Sequence, residues 1–262
     1  MDPFGATTVL NSFQSELIIL ATVGGTAAFL LLLQFVWPSE VRRPHNELIG
    51  WNVTILGTIY AVIIGFMLFA VWTDYEAAEA NVEAEANSLV NVARLARGLP
   101  TEQRAEVANL ARDYVNVMLT KEWAAMNRGE LTPESHAIIR ELWHTLAVTE
   151  THSGLEQTSL DHTLAELTKM TAYRRQRALQ MKAELPEILW IVLIAGAVVT
   201  IGSACLFGAA KFRVHLTQVG MLALMISSVL VAIADLRAPF QGAAHIEAAC
   251  FERARLTFLD MP

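Results

Sequence analysis

The fold is decided by residues 51–97, WNVTILGTIYAVIIGFMLFAVWT followed directly by DYEAAEANVEAEANSLVNVARLAR. The first part, Trp51–Thr73, is apolar and carries no charge. At a 1.5 Å rise per residue, about 20 helical residues cross the roughly 30 Å hydrocarbon core of a bilayer. The segment lacks the alternation of a barrel strand, so a helix is the form that satisfies its backbone in lipid. The second part, Asp74–Arg97, is rich in Ala and Glu, and no Gly or Pro stops it before Gly98 and Pro100. One unbroken helix is predicted, crossing the membrane and projecting from it.

Three more segments have the same character: Leu17–Trp37, Ile188–Ala210 and Val214–Ala234. A chain that is 54% hydrophobic and only 17% charged fits a membrane protein better than a soluble domain. The first segment is read as a retained span, not a cleavable signal. Only Asp2 and Glu16 carry side-chain charge before it, and it ends in Gln34-Phe35-Val36-Trp37-Pro38 without a small-residue cleavage site. The predicted class is an all-α membrane protein with four transmembrane helices in two hairpins and a helical extramembrane domain between them. Residues 1–73 form the first hairpin, 74–185 the helical domain, 186–236 the second hairpin and 237–262 a tail.

The polar stretch reads as a series of helices. Thr101 opens one after Pro100, and Leu110, Tyr114, Val117 and Met118 give it an amphipathic face. Asn127-Arg128-Gly129 ends it. Thr132 and Pro133 start the next, and a linker at Thr149–Gly154 leads to a last helix from Leu155 to Leu185. The short loops between spans carry Arg42, Arg43, Lys211 and Arg213, which places them in the cytoplasm. Both termini and the helical domain then lie outside. Arg174, Arg175, Arg177 and Lys182, before the third span, count against this, with less weight because they belong to a long domain.

No enzyme constellation is present: no nucleophile elbow, phosphate loop, His-Glu-x-x-His or paired Cys motif. The expectation is no catalytic residue, no cofactor and no bound metal. Cys205 and Cys250 are far apart in sequence, and the seven histidines, His136 and His144 among them, show no ligand spacing. A net charge of −7 without a basic cluster argues against nucleic acid.

Function is sought in the second span. Gly50, Thr54, Gly57, Ala61, Gly65 and Leu68 recur at helical spacing, near Asn52, Thr58 and Tyr60. Such a stripe serves close helix packing or lines a pore. The candidate pore-lining residues are Asn52, Thr54, Gly57, Thr58, Ala61, Gly65, Phe66 and Phe69, the last two as an apolar constriction. Beyond them Asp74, Glu76, Glu79 and Glu83 fall within three turns. In an oligomer, these acids would stack as rings that concentrate cations; alone, they are a solvated face.

Several motifs together resemble the bacterial and plastid bestrophin-like integral membrane family. They are Gly57-Thr58-Ile59-Tyr60 with Gly65-Phe66, then Trp72, Tyr75 and Ala78, then Glu83-Ala84-Glu85-Ala86 and Arg94-Leu95-Ala96-Arg97-Gly98-Leu99-Pro100. Glu122-Trp123 with Met126, Pro186 with Leu189-Trp190, and Pro239-Phe240 with Gly242 complete the set. Ile64-Gly65-Phe66-Met67 is also similar to the pore helix of the bestrophin anion channels, although the long cytoplasmic body and acidic calcium clasp of those channels are missing. The resemblance implies an oligomeric channel fold in a bacterial inner (plasma) membrane. The acids point to cations.

The expected function is a homo-oligomeric channel for monovalent ions, potassium favoured, with membrane lipid and inorganic ions as its partners and the helical domain periplasmic. The alternatives are a bestrophin-like anion channel, or a membrane-anchored sensor or scaffold with a partner-binding helical domain. A secondary transporter fits less well, because no Pro breaks the spans at mid-depth and none carries a buried charge.

Overall fold

The computed structural model describes residues 12–182 and 185–260, which are helical and contain no strand. Eight principal helices organise them: α1 (Ser12–Val36), α2 (Asn46–Leu95), α3 (Thr101–Val117), α4 (Pro133–Ala147), α5 (Gly154–Gln180), α6 (Glu187–Cys205), α7 (Phe212–Leu236) and α8 (Ala249–Leu259). Those containing α1, α2, α6 and α7 are long and apolar enough to cross a membrane. The expected continuation of the second span is present: α2 runs for 50 residues without a break.

The chain divides into two compact units, Met1–Asp74 with Glu184–Arg237, and Tyr75–Ala183 with Ala238–Pro262. In the first, α1 packs chiefly along α7, and α6 packs on α7. The principal neighbour of α1 is therefore α7, not the α2 helix that follows it. Leu30, Tyr60, Ala197, Val219, Ala223 and Ile226 form one core, and Val71, Leu193 and Ile233 another. Large apolar side chains such as Phe35, Ile55, Phe66, Ile188 and Met225 stay exposed, as expected of helices whose outer faces meet lipid. The α6–α2 approach is close: a Cβ at Gly196 would stand 2.4 Å from the Tyr60 ring. The Tyr60 hydroxyl donates to the Leu193 carbonyl at 3.1 Å.

The two short loops of this unit are tied to each other. Arg42 is buried and donates to the Cys205 carbonyl (2.7 Å) and to Gln34 Oε1 (3.0 Å). The Asn46 amide brackets Gly208, accepting from its N–H at 2.8 Å and donating to its carbonyl at 3.0 Å. A side chain at residue 208 would meet the Arg43 and Ser39 backbone at 2.5 Å, so this position requires glycine. Arg237 sits over the Trp190 ring, 5.3 Å from its centroid.

In the second unit, Ala78, Val82, Leu89, Val107, Tyr114, Leu142, Leu167 and Phe251 share a core. From α3 the chain continues through a single π turn, Met118–Glu122, into Trp123–Met126, and leaves at Gly129 with φ 77°. At the start of α5, Ser153 Oγ accepts from the Glu156 N–H, and Glu156 in turn accepts from the His152 N–H at 2.7 Å, a reciprocal cap. The helix ends at Gln180, short of the expected Leu185; residues 183 and 184 lie outside the described residues. The tail is part of this core. Phe240 packs edge-on against Trp123, whose Nε1 donates to the Ile246 carbonyl at 2.9 Å, and α8 inserts Phe251, Ala254 and Phe258.

Candidate functional site

At about 100° per residue, α2 turns Tyr60, Ile64, Met67 and Val71 to one side. Tyr60 and Val71 are buried, and Ile64 and Met67 pack beside the two cores. Thr54, Thr58, Ala61, Gly65 and Phe69 fall on the other side within an arc of about 80°, and all five are exposed. Gly57 is half-buried at the edge of that arc. Asn52 and Phe66 are exposed too, but point elsewhere around the helix.

A Cβ built on Gly57 or Gly65 meets nothing within 4 Å. The small residues of this stripe therefore do not mediate close packing inside the protomer, in contrast to Gly196 beneath Tyr60. The Thr54 and Thr58 hydroxyls donate to the carbonyls one turn back, Gly50 at 2.8 Å and Thr54 at 2.7 Å. Their donors are satisfied by the helix itself, and their lone pairs remain on an open face.

Asp74, Glu76, Glu79 and Glu83 are all exposed. Asp74, Glu76 and Glu79 form no ion pair among the described residues. Glu83 does: Arg253 of α8 reaches it at 3.1 Å. The sequence gives no local warning of this partner, which lies 170 residues away.

The densest polar constellation is elsewhere, and none of its members is in the expected set. Arg177 on α5 is fully buried and donates to both oxygens of Glu85 on α2, at 2.7 and 3.2 Å. Its other edge lies 3.7 Å from Glu122 Oε1 and 2.7 Å from Met126 Sδ. The Tyr114 hydroxyl donates to Glu85 at 2.6 Å. Glu122 Oε2 accepts from the Thr132 N–H and hydroxyl and from Ser135. Glu122 thus ties the start of α4 to the π turn, and Thr132 does not cap α4 with its own side chain. Burial alone would push the Arg177 guanidinium down; Glu85, Tyr114 and Glu122 more than reverse this and hold it above its ordinary value. Burial, then the Glu85 charge, pushes the Tyr114 phenol well up. The arrangement is a closed ionic lock joining α2, α3, α4 and α5.

The signal for this lock lies in helix phase. Glu85 falls on the stripe of Ala78, Val82 and Leu89, and Arg177 seven residues after Met170 on the stripe of Leu160, Thr163 and Leu167. Among the described residues no three His, Cys, Asp or Glu side chains gather to hold a metal.

A family profile described as Bestrophin-like domain matches residues 20–251. The chain belongs to the Bestrophin-like family. Solved structures agree on the fold. A point variant of a bacterial bestrophin homologue from Klebsiella pneumoniae superposes with a TM-score of 0.70 at 14% identity, covering 94% of this chain and 100% of that one. A second variant of that homologue gives 0.63 at 15% identity, covering 94% and 98%. A crystal structure described only as a membrane protein variant gives 0.66 at 13% identity, covering 95% and 97%. A search of curated proteins finds no sequence match. The Bestrophin-like fold thus spans both units, across the stripe on α2 and the ionic lock.

Proposed function

We propose that this Bestrophin-like chain assembles as a homo-oligomeric ion channel whose pore is lined by α2 and which passes monovalent ions, cations such as potassium preferred. One observation carries the reading: the small and hydroxyl stripe Thr54, Thr58, Ala61, Gly65 and Phe69 is exposed, and a Cβ at Gly65 would meet no described residue of its own chain within 4 Å. A single protomer gives that stripe no use, whereas a ring of protomers with α2 at the axis makes it a pore wall with Phe69 as a constriction. The family and the fold of the Klebsiella homologue point the same way.

The cation preference rests on Glu76 and Glu79, which by helix periodicity continue the same face of α2 and form no ion pair among the described residues. Glu83 contributes less, because Arg253 offsets it. The proposed orientation keeps the Arg42–Arg43 and Lys211–Arg213 loops in the cytoplasm and the helical unit in the periplasm. Purified protein in liposomes tests the reading. Potassium flux under a gradient with an impermeant anion, without chloride flux in the converse gradient, is the expected result. Chloride flux alone would reassign the channel to anions, and no flux in either would favour the sensor or scaffold role.

A further inference from the structure

A concavity in the helical unit is lined by three arginines. Arg97 comes from the turn after α2, and Arg104 and Arg112 from α3, around a volume of about 250 Å³. Ala93, Ala105 and Ala108 keep it open, and Phe258 of α8, almost fully buried, lines its apolar side.

None of the three arginines forms an ion pair among the described residues. Arg104 reaches only the Thr101 hydroxyl at 3.4 Å, and Arg112 only Asn109 Oδ1 at 3.1 Å. Arg177, Arg253 and Arg255 of this unit take carboxylates, from Glu85, Glu83 and Glu252, whereas Arg94, Arg140, Arg174 and Arg175, like the three pocket arginines, form no ion pair among the described residues. The chain does not lack acids, since it carries a net charge of −7. The acids of α3 itself, Glu102, Glu106 and Asp113, lie by helix periodicity on another face from Arg104 and Arg112.

Arg97, Arg104 and Arg112 are all exposed, so water screens their mutual repulsion, and the hollow they line offers one anion contact with more than one of them. Guanidinium is the group suited to oxyanions: a planar fork with five donors that binds phosphate bidentately. The alanines leave room for such a group, and the apolar wall excludes water from one side of it.

We propose that this pocket binds a phosphate-bearing anion through Arg97, Arg104 and Arg112, giving the helical unit a ligand site separate from the α2 stripe. Phosphate esters on soluble molecules and on lipid headgroups share this chemistry, so the test has two arms. The first titrates inorganic pyrophosphate into the purified full-length protein in detergent, at low and high salt. The second measures pull-down of the protein's pocket variants and parent by nanodiscs with and without phosphatidate.

Saturable binding in either arm, weakened about tenfold or more by Arg104→Ala and unchanged by Arg140→Ala, is the expected result. Arg140 is exposed on α4 and does not line the pocket, so it controls for bulk charge. Arg104→Lys keeps the charge but loses the fork and should fall between parent and Arg104→Ala. Pyrophosphate binding assigns a soluble ligand; dependence on phosphatidate alone assigns a headgroup. The proposal is overturned if neither arm shows saturable binding, or if Arg140→Ala weakens it as much as Arg104→Ala. It is also overturned if the triple alanine variant changes the subunit number in light scattering, since the arginines would then hold a subunit contact.

Discussion

Replacing Arg177 by Met should be the most damaging single change in the helical unit. The substitution keeps much of the side-chain length and removes the guanidinium. Glu85 then retains only the Tyr114 hydroxyl at 2.6 Å and loses bonds of 2.7 and 3.2 Å. Glu122 Oε1, which has no hydrogen-bond partner among the described residues, loses the guanidinium that stands 3.7 Å from it. Two carboxyl groups with no solvent access are left facing the gap. Breaking a buried pair in this way costs about 3–5 kcal/mol, because the remaining partner stays desolvated. For a unit of this size that corresponds to a fall of roughly 10–20 °C in its unfolding temperature. The double change Arg177→Met with Glu85→Gln should recover part of the loss, since it removes charge from both sides. The assay is thermal unfolding in detergent together with amide hydrogen exchange. The exchange should quicken in α5 and in Trp123–Met126 while α1, α6 and α7 keep their protection. A melting temperature within a couple of degrees of the parent, or a double variant as unstable as the sum of the singles, would refute the account of the lock.

Charge reversal at Glu76 and Glu79 should move the reversal potential in a potassium–chloride gradient towards anions. Glu83→Lys should move it less, because that carboxylate is already paired with Arg253. Gly196→Leu should destabilise the membrane unit by about 1–3 kcal/mol, through overpacking against the Tyr60 ring, read as a lower melting temperature in detergent. Tyr114 has its pKa raised in the fold, so the native state holds its proton where the unfolded chain releases it. Its contribution is therefore full below about pH 10 and declines as pH rises above that. Tyr114→Phe should flatten this part of the alkaline stability profile, measured by denaturant titration at a series of pH values.

The four spans and the projecting helix are legible in the sequence because their signals are local. Some 20 apolar residues have few options in a bilayer, and Asp74–Arg97 contains nothing that breaks a helix. The pairing of α1 with α7 is not local, and apolar spans of similar composition carry no mark of which neighbour they meet. α8 escapes for a related reason. It follows a turn fixed by Pro239 and by Gly242 at φ 81°, and its helix is only 11 residues long, so packing of Phe251 and Phe258 sustains it rather than propensity.

Glu83 and Glu85 show how far a charge can be read from its neighbours alone. Both stand in the same run of alanine and glutamate, and both look like solvated carboxylates. Two residues are about 200° of helix, so only one of them can share the stripe of Ala78, Val82 and Leu89. That one is Glu85, and the fold meets it with Arg177 and Tyr114. Glu83 turns outward and finds Arg253 at the surface, where exposed pairs contribute little. By phase Glu85 faces the unit's core while Glu76, Glu79 and Glu83 share another face, and Asp74, close to Glu85 in phase, is nonetheless exposed. Glu76 and Glu79 are exposed by the same geometry that turns Glu85 inward. In the proposed channel, a vestibule built on this helix would depend on Glu76 and Glu79 of each protomer more than on the whole acidic run.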